Sequence, residues 1–287
     1  MSGNDDAEKS PAPRNLPSLL SGLHAQRRSC TVAVSGSPGG TIHVRQGLVV
    51  AMETPGAPGA EAILLKSGRL TEEAWTAVRA TDSTHEHLAR ELVAAELIGA
   101  GELEVVSLGA LFDAAFALSL NRPTDWEVGD PVPVLYAGAG VPPERLVAET
   151  TRRFGMLDKE PGAIARSARD RVHPTPSAGL PESTARLSPR HLDLLSAVDG
   201  RRTPRDLAFS LGRGLFAVLL DLGYLLGLRL VEYPTPPGAA GRPSTAPRTP
   251  APSPSAPPAP ATTGLPRRLT RRPGPQPAAP DPSERRP

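Results

Sequence analysis

The chain contains a single cysteine, three lysines and few aromatic residues, 3% of its 287 positions. With Cys30 alone, an internal disulfide framework is excluded. The first 14 residues, MSGNDDAEKSPAPR, hold no apolar signal region, so a cytoplasmic location is expected. Long apolar runs are missing too. The most apolar stretch, LFAVLLDLGYLL from Leu215 to Leu226, falls short of the roughly 20 residues a membrane span needs and carries Asp221, so no membrane partner is expected. There is no G-x-S-x-G nucleophile elbow. Gly36–Gly40 lacks the lysine and following hydroxyl of the Walker pattern and lies between strands, so it reads as a hairpin turn.

What is abundant is proline and arginine, unevenly spread. Residues 234–287 hold 18 of the 35 prolines and almost no large apolar side chains, the composition of a disordered tail. The same segment has eight arginines against Asp281 and Glu284. Residues 1–233 then carry 24 basic and 28 acidic side chains, so the basic balance belongs to the tail. A net-acidic folded region is a poor generic binder of nucleic acid, because duplex affinity comes largely from neutralised phosphates. Arginine makes up 29 of the 32 basic residues. Together with the alanine, proline and glycine content, this is the usage of GC-rich, actinobacterial genomes, and not a sign of phosphate recognition.

Along the chain, Leu16, Leu19, Leu20 and Leu23 repeat at helical spacing. Cys30–Ser35, Thr41–Arg45 and Leu48–Met52 read as three strands joined by short glycine turns, an antiparallel meander. A helix opens at Gly59-Ala60-Glu61 and stops at Gly68. Further helices are expected around Trp75 and Val78, from Thr84 through Leu97, and from Ser107 to Asn121, with a strand returning at Asp125–Val128. The patterns NLPSLLSGL, GGTIHVRQGLVVAMET and GAEAILLKSGRL resemble the PATAN domain, the N-terminal type of PatA response regulators. The matching positions are Leu16, Leu20, Leu23, Gly40, Ile42, Gly47, Val50, Ala51, Ala62 and Leu65; Arg28-Ser29-Cys30 departs from the family's Thr-Gly before the first strand. The resemblance implies a protein-interaction role for residues 15–136 and supplies no catalytic residue.

Residues 137–159 read as a connector and a helix starting at Pro142-Pro143-Glu144, whose Leu146, Val147, Phe154 and Leu157 form an apolar face. The Pro-, Ser- and Arg-rich residues 160–186 read as a linker. Residues 187–233 begin with Ser188-Pro189, a helix start. Asp199-Gly200 ends that helix, Thr203-Pro204 opens a second with Asp206 in its first turn, and Gly212 and Gly214 mark a sharp corner before a third. The order of helices, with a strand after Leu228, and the pattern DGRRTPRDLAFSLG resemble helix-turn-helix and winged-helix domains, including MarR-like regulators and the peptide-clamping winged helices of the PqqD type. That resemblance implies a DNA-reading third helix. LFAVLLDLGYLL contains no arginine, lysine, asparagine or glutamine to offer base edges, which argues for burial or a protein contact.

The fold expected is α+β: a small antiparallel sheet covered by helices, then a helical winged-helix-like unit and the tail. No cofactor, metal or small-molecule substrate is expected. His85-Glu86-His87 places its histidines on opposite helix faces, Cys30 has no assignable base, and Glu102 and Glu104 lack an acid–base partner. Trp75 and Trp126 read as core residues. The expected function is a non-catalytic transcriptional regulator in which Arg201, Arg202, Arg205 and Arg213 hold phosphates, a contact that positions without reading sequence. The alternative is an adaptor that self-associates or binds a protein through Leu215, Phe216, Leu219, Leu222 and Tyr224.

Overall fold

The computed structural model describes residues 15–81, 87–157 and 161–233. The expected disordered start and tail, the histidine pair partner His85 with Glu86, and the helix start at Thr84 lie outside them. Helix α1 (Leu16–Ala25) is capped by Asn15, whose side chain accepts from the Ser18 amide at 2.9 Å. Strands β1 (Cys30–Ser35), β2 (Gly40–Arg45) and β3 (Leu48–Glu53) follow as the expected meander, paired antiparallel with Val32 opposite Ile42 and Ile42 opposite Met52. Then come α2 (Ala60–Lys66), α3 (Glu72–Thr81), α4 (Leu88–Ala94) and α5 (Ala100–Ser119). Strand β4 (Asp125–Gly129) returns beside β1, giving the sheet order β3-β2-β1-β4. This is a mixed α+β architecture with a small antiparallel sheet.

Helix α5 differs from its expected start at Ser107 by seven residues. Glu102 in the first turn favours the helix dipole, and Leu103, fully buried beside Leu64 and Leu92, holds the early turns in place. Twenty residues make a rod about 30 Å long, and it is apolar nearly all round, as a helix buried on several sides must be. One face, with Leu111, Ala114, Ala115 and Leu118, covers the sheet together with Leu20 and Leu23 of α1. Leu103 joins a second cluster with Trp75, Val78 and Leu92. Phe116, Ala117 and Leu120 turn to a third, which contains the C-terminal helices.

Helix α6 (Pro143–Met156) contributes Leu146 to the sheet core and Phe154 to the C-terminal one, where the Phe154 ring lies 5.1 Å from that of Phe116. Residues 160–186 were read as a linker, and over the described residues 161–186 the structure corrects this. They form α7 (Pro161–Ser167), a two-residue strand β5 (His173–Pro174), a 3₁₀ turn and the short α8 (Pro181–Thr184). Ile164, Ala168 and Val172 are all but fully buried. Their proline and arginine content concealed a sparse set of apolar anchors. The remaining elements are α9 (Pro189–Ala197), α10 (Pro204–Leu211), α11 (Leu215–Gly227) and β6 (Val231–Glu232), which pairs antiparallel with β5. The described residues group as one packed unit, not as two separable ones. None of their helices is by itself long and apolar enough to cross a membrane.

Candidate macromolecular interface

The corner between α10 and α11 is built locally. Thr203 caps α10 in a reciprocal box: its hydroxyl accepts from the Asp206 amide at 3.2 Å while the Asp206 carboxylate accepts from the Thr203 amide at 3.0 Å. Gly212 ends α10 at φ +60°, the left-handed conformation that favours glycine, and a Cβ there would lie 2.6 Å from Cβ of Lys66 on α2. Helix α11 then leaves at 116° to α10.

Gly214, the N-cap of α11, has no side chain to satisfy the free amides of the first turn. Asp113, from the middle of α5, supplies the missing acceptor. Its carboxylate takes the Leu215 amide on one oxygen and the Phe216 amide, at 2.9 Å, on the other. Arg153 of α6 donates to the same carboxylate at 3.2 Å and to Glu149 at 2.9 Å, with its guanidinium 4.9 Å from the Phe216 ring centroid. Asp113 is 3% exposed. Burial pushes its carboxyl pKa up, against the downward pull of the Phe216 and Leu215 amides and of Arg153. Glycine at 214 is what lets the carboxylate in, since a Cβ there would stand 3.0 Å from its carbon. A negative charge at a helix N-terminus is stabilised by the amides and the helix dipole together. In this molecule that anion site is filled from within.

A second buried acid lies one and a half turns along. Asp221 pairs with Arg213, with Arg190 at 3.4 Å and with His191 at 3.2 Å. His191 contacts the Ser188 hydroxyl at 3.0 Å through its other nitrogen and stacks on Tyr224 with centroids 4.6 Å apart. Serine, histidine and aspartate in series suggest a relay, but two guanidinium groups share the carboxylate and the serine lies only three residues from the histidine. The arrangement fastens α9 to α11.

The expected site residues fall into two groups. Arg201, Arg202 and Arg205 are exposed, the first two in the turn before α10 and Arg205 in its first turn. The backbone amides of Arg201 and Arg202 bind the Asp199 carboxylate at 2.8 and 3.1 Å, and the Arg202 side chain pairs with Asp199 at 3.5 Å. These hydrogen bonds, Arg201 first, hold the Asp199 carboxyl below its usual pKa. Arg213 is different: it is committed to Asp221 and to the Arg190 carbonyl and does not belong to an open phosphate contact. The expected protein-binding set is corrected more strongly. Leu215, Phe216, Leu219 and Leu222 are 1, 8, 7 and 1% exposed, filled in by α5, α6, α9 and α10, and only Tyr224, at 48%, faces outward.

Sequence reasoning missed Asp113 and Arg153. The signal was a lone acid inside an apolar run, LGALFDAAFALSL; such a charge, if buried, must be paired. Cys30 is buried in β1, and burial pushes its thiol pKa up. Trp75 is buried with its indole N–H donated to Glu61 at 2.8 Å. Among the described residues no group of three or more histidine, cysteine, aspartate or glutamate side chains is placed to hold a metal ion. Compared with protein-family models, with curated proteins and with solved structures, the chain matches none.

Proposed function

We propose that this protein is a non-catalytic regulatory adaptor that docks on another macromolecule, with the winged-helix-like arrangement of α9–α11 serving as a protein-binding element and not as a base reader. The observation that carries the reading is Asp113 seated on the N-terminus of α11. A helix that reads DNA brings its N-terminal residues to the duplex, and here that end is occupied by an internal carboxylate and flanked by core side chains. The face left outside has Tyr224 and, one turn on, Leu228 at 45% exposure. Light scattering of the full chain across a concentration series, with wild type and Tyr224→Asp compared, tests self-association. The proposal expects wild type to assemble, or to retain a protein partner on affinity capture, and the variant to lose this. A monomer that captures nothing in either form refutes it.

A second reading, transcriptional control by direct DNA contact, is favoured by the exposed arginines at the start of α10. Gel-shift titrations over a salt series decide between them. Binding that disappears in an Arg201→Ser, Arg202→Ser, Arg205→Ser triple variant supports phosphate contact by this turn. No shift at low salt removes the DNA reading.

A further inference from the structure

A cleft of about 570 Å³ lies between β3, α2, α3 and α5, a volume within the range of about 300–1,000 Å³ usual for small-molecule sites. Its wall is largely apolar, with Met52, Leu65, Trp75, Leu88 and Leu111 among the lining side chains. The polar groups on it are mostly spoken for. Trp75 donates to Glu61 at 2.8 Å, Glu53 accepts from His43 at 3.2 Å, and Arg79 lies over the Trp75 ring. Lys66 and Glu72 also border it, both exposed to solvent. The buried exception is Ser107 of α5. A serine inside a helix ordinarily turns its hydroxyl back to the carbonyl four residues earlier, as Ser119 does to Ala115 at 2.8 Å. The Ser107 hydroxyl has no hydrogen-bond partner in the protein, and its oxygen is turned into the wall with almost no accessible surface, the residue being only 7% exposed. An unsatisfied buried hydroxyl costs about 1–3 kcal/mol.

We propose that the cleft binds a small, uncharged, mostly apolar molecule with one hydrogen-bonding oxygen, which meets the Ser107 hydroxyl once that side chain turns about its Cα–Cβ bond into the cleft. The ligand is an effector and not a substrate, because nothing in the wall pairs a nucleophile with a base. Phe209 of α10 also lines the cleft, and Gly212 at the end of α10 packs on Ile63, Lys66 and Ser67. An occupant therefore touches the sheet layer and the C-terminal helices together, and it strengthens the seating of α10 on α2. This holds whichever macromolecule the protein docks on.

The test uses the full chain with Trp126→Phe, so that Trp75 is the sole tryptophan and reports on the cleft. Three probes of one size are titrated: 2-acetylnaphthalene, its charged analogue 2-naphthoate, and 2-ethylnaphthalene, which lacks the oxygen. The expected result is saturable one-to-one binding of 2-acetylnaphthalene, with Ser107→Ala about fivefold weaker and 2-ethylnaphthalene equally weak on both forms. Ala110→Trp, which fills the cleft, abolishes binding; Ala62→Met serves the same purpose where the larger side chain prevents folding. Hydrogen exchange at Leu207 and Ala208 slows when the probe is bound. Absence of saturable binding overturns the site, as does binding indifferent to both filling variants. Tighter binding of 2-naphthoate overturns the ligand class, and unchanged exchange in α10 overturns the coupling.

Discussion

Replacing Asp113 by alanine removes one carboxylate and with it three interactions. The Leu215 and Phe216 amides lose their acceptor, and Arg153, whose side chain is 12% exposed, loses one of two acidic partners. Breaking a buried pair from one side costs about 3–5 kcal/mol. Glu149 still holds Arg153, which places the expected loss near the lower end, about 3 kcal/mol. That is a large part of the roughly 5–15 kcal/mol that stabilises a folded protein. Asp113→Asn keeps one acceptor oxygen but not the charge and should fall between. The double variant Asp113→Leu, Arg153→Met removes the stranded cation yet leaves both amides unpaired, so it should recover only part of the loss; with Asp113→Leu and Arg153→Met each measured singly, the departure from additivity gives the coupling of the pair. Urea unfolding followed by far-ultraviolet circular dichroism gives each stability. Hydrogen exchange then shows whether the first turn of α11 opens before the rest. A loss below about 0.5 kcal/mol for Asp113→Ala, the range of ordinary surface substitutions, with α11 still protected, would falsify the argument that this carboxylate fixes the helix.

Three further outcomes follow from the same geometry. Gly214→Ala drives a methyl against Asp113 and should cost about 1–3 kcal/mol, measured in the same urea series; a neutral substitution would mean that the carboxylate has room to move. Glu149, held by Arg152 and then Arg153, has its pKa lowered to about 2 from 4.5. Its contribution is therefore present above pH about 4.5 and declines as pH falls towards 2, so Glu149→Gln should flatten the acid limb of stability against pH, and an unchanged limb argues against the pairing. Cys30, 1% exposed with its thiol pKa raised by burial, should resist an aromatic disulfide reagent in the native protein and react at once in urea. Fast native labelling would contradict its position in β1.

The parts of this molecule governed by short-range chemistry were legible in the sequence. The three-strand meander followed from alternation and glycine turns, and the start of α10 from Thr203-Pro204 with Asp206 three residues after the cap. The surface expected on α11 was misjudged for one reason. Periodicity shows that a helix is apolar all round but not what lies against each side; burial within the chain and a protein contact both stayed open, and here α5 and α6 supply the cover. The role of Asp113 depends on a contact with residues about a hundred positions away, which no local pattern encodes. Residues 161–186 were obscured by composition, since three buried apolar side chains outweigh a run of prolines and arginines once the chain has packed.

The 20-residue rod of α5 has a consequence for inheritance. Phe116, Ala117 and Leu120 belong to the N-terminal half by sequence and to the C-terminal half by contact. A gene fusion that transplanted either half alone would carry away an open wound of hydrocarbon on both fragments. Recombination can therefore pass these two halves on together, or refashion the seam between them, but it cannot deal them out as interchangeable cassettes.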